Sequence, residues 1–94
     1  PQIIDWDEYS YVKLTLATDV TIEFSPPSVT GHYLLEVQQD SIGGHQLFLP
    51  SGVLCSGGIS PVITVSPLAL DLLRLFYNGT DWSVVITNDL KVPS

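Results

Sequence analysis

The sequence predicts an all-β fold: a small antiparallel β-sandwich or jelly-roll-like domain of about seven short strands. Three observations predict it. Apolar residues alternate at period two in several short runs, turn signals made of Gly, Pro, Asn and Asp recur about every 8 to 12 residues, and the one segment with a helical stripe reads equally well as a strand.

The elements follow in order. In residues 10–16, Val12, Leu14 and Leu16 alternate with Tyr11, Lys13 and Thr15, the pattern of a sheet with one buried face. Thr18-Asp19 then reads as a short turn, and Val20, Ile22 and Phe24 alternate with Thr21, Glu23 and Ser25 in a second strand. The pair reads as a hairpin, ending at Pro26-Pro27 because proline cannot donate to a ladder. A third strand is expected over residues 33–38, followed by a loop in which Gly43-Gly44 permits positive φ. Residues 46–49 read as a short strand stopped by Pro50, residues 51–61 as an ordered loop or a chain of tight turns, and residues 62–65 as a resumed β segment ended by Ser66-Pro67.

Residues 68–77 divide local reasoning. Leu68, Leu72, Leu75 and Phe76 fall on one helical stripe, with Ser66 in place for an N-cap and Asn78-Gly79 for a stop. As a strand, the same segment puts Asp71, Leu73, Leu75 and Tyr77 on one face. Asn78-Gly79 joins it to the β-branched run 82–86, a strong hairpin signal, so a strand over residues 70–77 is expected. The organisation reads as an N-terminal arm over residues 1–9, a β-sandwich over 10–88 and a tail over 89–94.

Composition bounds the function. The chain has 94 residues, three basic and ten acidic side chains and a formal charge of -7. Only Lys13, Arg74 and Lys91 could meet phosphates, which argues against nucleic acid and anionic membrane surfaces. The longest apolar stretch, residues 68–77, is interrupted by Asp71 and Arg74 and is shorter than the roughly 20 residues a spanning helix needs. With Cys55 as the only cysteine, no disulfide forms within the chain. A 94-residue domain that is 45% hydrophobic and only 14% charged carries more apolar surface than so small a core hides, which implies cover by another subunit. The start Pro1-Gln2-Ile3, in a chain without methionine, reads as a whole product with a trimmed initiator, an excised domain being the other reading.

Taken in order, several features resemble a small β domain of bacteriophage virion proteins. They are the run over residues 14–25, Pro26-Pro27, Gly31 two residues before Tyr33, Gln39-Asp40 before Gly43-Gly44, Leu49-Pro50, Gly57-Gly58 before Pro61, and Tyr77-Asn78-Gly79-Thr80 before Trp82. Such domains occur in tail fibres, tailspikes, receptor-binding proteins and capsid appendages. Asn78 stands where the usual residue is aspartate, and the aromatic that often follows the Leu-Pro step is absent. The resemblance implies a virion component without catalytic residues, often in a trimeric or otherwise symmetric assembly.

The residues that could carry chemistry are few. His32 and His45 each follow a turn glycine, and neither lies at a zinc-motif spacing from Cys55, so no metal, thiol or cofactor chemistry is expected. Asp5, Asp7 and Glu8 lack the loop pattern of a calcium site and read as a solvated acidic stretch. Gly43-Gly44 and Gly57-Gly58 lack the lysine and the strand-to-helix setting of a phosphate loop. The candidate interface residues are Ile3, Ile4, Trp6, Tyr9 and Tyr11, with Ile3, Ile4 and Trp6 docking on a neighbouring chain. The expected function is a non-enzymatic virion structural protein, a capsid decoration or head-fibre component working through contacts with other virion proteins and with copies of itself. The alternative is a receptor- or glycan-binding module of a tail fibre or tailspike, its exposed Trp and Tyr stacking on host-surface sugars.

Overall fold

A computed structural model describes residues 1–93. Eight strands form: β1 (Gln2–Asp5), β2 (Tyr11–Leu16), β3 (Val20–Ser25), β4 (Gly31–Gln39), β5 (Leu47–Phe48), β6 (Leu54–Cys55), β7 (Leu70–Tyr77) and β8 (Trp82–Thr87), with one 3-10 turn at Ser56–Gly58. They make two packed sheets, a small one in the order β1-β3-β5 and a large one in the order β2-β4-β7-β8-β6. The fold is the expected small β-sandwich.

Its strand pairing is not purely antiparallel. The chain passes from one sheet to the other at each of its first five connections, so alternate strands run the same way in the same sheet. Hence β1, β3 and β5 pair in parallel, as do β2 with β4; β6 with β8 is parallel as well, within the large sheet. Only β4 with β7 and β7 with β8 are antiparallel.

The expected β2–β3 hairpin is therefore corrected to an arch between sheets. A two-residue hairpin loop needs positive φ, and none of Ala17, Thr18 and Asp19 adopts it. Asp19 instead accepts the Gln46 N–H at 2.8 Å, and Val20 N–H donates to Gln46 O at 2.9 Å, tying the start of β3 to β5. Val12, Leu14 and Leu16 still face inward, as do Val20, Ile22 and Phe24, but from opposite walls of the core.

Residues 62–65, expected as β, join no ladder. Side chains take over the backbone groups: Asn88 Nδ2 donates to Val62 O at 2.9 Å, Thr64 N–H donates to Asp71 at 2.6 Å, and Gln39 Nε2 donates to Thr64 O at 3.1 Å. The segment is an extended strap, and it brings Ile63 into the core. The expected loop over residues 51–61 holds β6 and the 3-10 turn. Residues 70–77 are a strand, joined to β8 by the Asn78-Gly79 turn, where Gly79 has φ 98° and Asn78 Oδ1 accepts from Thr80 and Asp81 N–H at 2.9 and 2.7 Å.

Both chain ends join the sandwich. Within the arm, β1 pairs with β3 from Gln2 opposite Ile22 to Asp5 opposite Ser25. At the tail, Asp89 N–H donates to Asp71 at 2.7 Å and Leu90 N–H to Leu70 O at 2.7 Å; Ser94 lies outside the described residues. The centre of the core is Leu16, Ile22, Leu35, Val37, Leu73 and Leu75. At one end it passes into an aromatic cluster of Trp6, Phe24, Tyr33, Tyr77 and Trp82, with ring centroids 4.8–6.1 Å apart.

Candidate functional site

Alternation puts every second residue of the large sheet on its outer face. Cross-strand register then sets three four-residue rows there, beside a shorter one of Thr15, Gln38 and Leu70: His32, Phe76, Ser83 and Leu54; Tyr11, Leu34, Arg74 and Val85; Lys13, Glu36, Leu72 and Thr87. Half of these twelve side chains are apolar or aromatic, with Tyr11 47%, Leu34 36%, Phe76 39% and Val85 63% exposed. A sheet face left in water normally carries polar residues, so this composition needs an account.

Arg74 sits on β7, the middle strand, with Leu34 and Val85 opposite it and Leu72 and Phe76 beside it on its own strand. Among the described residues neither Arg74 nor Lys13 forms an ion pair. The one acidic group of the face is Glu36, which accepts the Tyr11 hydroxyl at 2.6 Å. That bond to a carboxylate holds the phenol proton and raises the Tyr11 pKa above its ordinary value.

The residues singled out in the sequence are split by the fold. Tyr11 lies on the outer face, while Ile3 and Tyr9 are exposed elsewhere. Ile4 and Trp6 are 4% and 2% exposed, buried in the chain's own core, and are not free to dock on a neighbour. The cause is the pairing of β1 with β3, extended by Trp6 N–H to Ser25 O at 3.1 Å, which carries the indole into the aromatic cluster. Arg74, Leu34, Leu72 and Val85 were not singled out. The register that makes them neighbours joins strands distant in sequence, so no local pattern shows it.

The other polar groups serve the fold. His45 Nε2 meets Asp40 Oδ1 at 3.0 Å, and that oxygen also accepts the Ile42 and Gly43 N–H groups at 3.0 Å each. No hydroxyl or thiol bonds to the imidazole among the described residues, so the pair locks the 40–45 loop. Gly43 is required there: a Cβ would meet Val65 O at 2.6 Å. The Gly43 amide bond, then those of Ile42 and His45, hold the Asp40 pKa below 3.8 against its partial burial. A carboxylate depressed in this way stabilises the loop above pH 3.8, and that contribution is lost as pH falls through the lower folded value. In an NMR titration the Gly43 amide is expected to shift with a midpoint below 3.8, and a midpoint at or above it would contradict the geometry.

Asp7 caps Ser28 through its N–H at 3.0 Å and its hydroxyl at 2.8 Å, which lowers the Asp7 pKa. The Cys55 thiol is half-buried and its Sγ lies 3.5 Å from Val53 O. The His32 and Phe76 rings pack at a tilt, their centroids 5.0 Å apart. Among the described residues no three His, Cys, Asp or Glu side chains converge as metal ligands do.

Two of the surface hollows combine apolar or aromatic groups at the sheet edges. An open apolar groove of about 600 Å³ runs between the edges of the two sheets, lined by Leu47, Phe48, Leu49, Val53 and Leu54. A second, of about 370 Å³, brings Phe24, Tyr77 and Trp82 together with the carboxylates of Glu23 and Asp81. The fold and surface define a class, a two-sheet all-β protein whose outer sheet face carries exposed apolar side chains among polar ones. No family model, curated protein or solved structure matches the chain.

Proposed function

We propose that the chain is a non-enzymatic structural module that works by packing against other protein subunits, in a virion of the kind its sequence resembles, as a capsid decoration or head-fibre component. The observation that carries the assembly reading is the set of exposed apolar side chains on the outer face of the large sheet, from Tyr11 and Leu34 to Phe76 and Val85. Removing apolar area from water contributes about 25 cal/mol per Å² before the entropic and desolvation costs of association, which offset most of it. The virion setting rests on the resemblance alone. Association stabilises each folded copy by mass action, which matters for a domain with a thin core. The acidic groups elsewhere keep unassembled copies apart.

The test is the mass of the purified protein by light scattering, with co-sedimentation on intact particles. Masses in multiples of 10.3 kDa and recovery with particles are expected. A 10.3 kDa species at all concentrations that never sediments with particles would end this reading.

One observation favours a second reading, glycan binding. Trp82, Tyr77, Glu23 and Asp81 share the smaller hollow, and aromatic faces beside carboxylates suit the stacking and hydroxyl bonding of a sugar. Retention on a glycan array that Asp81→Ala abolishes would replace the assembly reading with this one.

A further inference from the structure

The partner that fits the outer face of the large sheet is a second copy of the same face. This rests on the assembly reading above and names the surface and the occupant. Leu34 lies opposite Arg74, and Glu36 opposite Leu72, on the neighbouring strands β4 and β7. The four residues form a two-by-two block with the charges on one diagonal and the leucines on the other. The diagonal of such a block measures about 7–8 Å. A two-fold axis lying in the plane of contact, midway between Arg74 and Glu36, sets each Arg74 against the Glu36 of the other copy. The same axis runs close to Leu34 and Leu72, so each leucine packs on its own counterpart. We infer that two copies pair face to face in this way, through two reciprocal Arg74–Glu36 contacts around a leucine centre.

The charge distribution permits a second copy as the occupant, because the face is close to neutral and complementary to itself along its Arg74–Glu36 diagonal. Lys13, Glu36 and Arg74 give the face a charge of +1, while the nine other acidic groups and Lys91 place -8 elsewhere, together the -7 of the chain. Face-to-face pairing is thus the arrangement that keeps the acidic surfaces apart. Its composition also suits an interface centre: a guanidinium ringed by apolar groups, with Tyr11 and Phe76 at the sides to exclude water.

Area sets the strength. Five strands spaced about 4.8 Å and about six residues long give a face of roughly 450 Å², so a pair buries about 900 Å². That is the low end for a specific contact, and a dissociation constant on the order of 1–100 μM is expected.

Sedimentation of four proteins over a concentration series tests the arrangement, with circular dichroism showing that each is folded. Wild type is expected to dimerise. Arg74→Glu sets Glu against Glu, and Glu36→Arg sets Arg against Arg, so each is expected to weaken the dimer at least about tenfold. The double variant R74E/E36R restores both pairs and is expected to return most of the affinity. A wild type that stays monomeric overturns the inference. If R74E keeps the wild-type oligomer, association uses another surface and only this inference fails. If both single variants dissociate and the double variant stays apart, the two-fold arrangement is wrong.

Discussion

Replacing Asp71 with alanine is expected to cost about 3–5 kcal/mol, a large part of the stability of a domain this size. Asp71 is 1% exposed and faces the core from β7. Three donors compensate the buried carboxylate: Thr64 N–H at 2.6 Å, Asp89 N–H at 2.7 Å and Asn88 Nδ2 at 3.1 Å. One side chain thus fastens the strap over residues 62–65 and the end of the chain to the middle strand of the large sheet. Alanine leaves both backbone donors without that acceptor, and a buried unpaired donor carries its full desolvation cost. At about 4–8 °C per kcal/mol, the melting temperature should fall by about 12–40 °C. Asp71→Asn keeps one acceptor oxygen but turns an amide towards a backbone N–H, and an intermediate loss is expected. A change of under about 5 °C for the alanine variant would mean the network does not hold the strap.

Trp6→Ala is expected to cost about 3–5 kcal/mol as well, through a cavity in the aromatic cluster. The indole packs 5.7 Å from Phe24, 5.6 Å from Tyr33 and 6.1 Å from Trp82. Its Nε1 is buried without a hydrogen-bond partner among the described residues, so Trp6→Phe removes volume but no bond and should lose far less. The readout separates two roles for one residue. Burial within the chain predicts a lower denaturant midpoint at every protein concentration. A variant that melts as wild type but has lost its oligomer would make Trp6 an intersubunit anchor, against its position in the fold.

These two residues also show how much was legible. The strand over residues 70–77 was readable, with Asp71 on the same face as Leu73 and Leu75. A charge on an otherwise apolar face gives no sign of whether it lies buried, because its compensating donors come from Thr64, Asn88 and Asp89, outside that strand. Trp6 was readable as a large apolar group seeking cover, but not as buried in its own chain. That depends on β1 pairing with β3, about 20 residues away. The candidate site was half legible: Tyr11 was singled out, while the Arg74 block exists only through the register of β4 on β7.

The sequence by itself determined the all-β class, the residues of each main strand and which of their faces turn inward, because alternation is a local consequence of the pleat. It also determined the β7–β8 turn, since Gly79 supplies a backbone angle that other residues avoid. Only the tertiary structure decided which strands are neighbours. A hairpin and an arch bury the same alternating residues, so β2 and β3 satisfy one pattern either way. The choice falls to turn geometry and to contacts far along the chain, such as Asp19 with Gln46. With it came the parallel pairing, the burial of Trp6 and Asp71, and the arrangement of Arg74, Glu36, Leu34 and Leu72 on one open face.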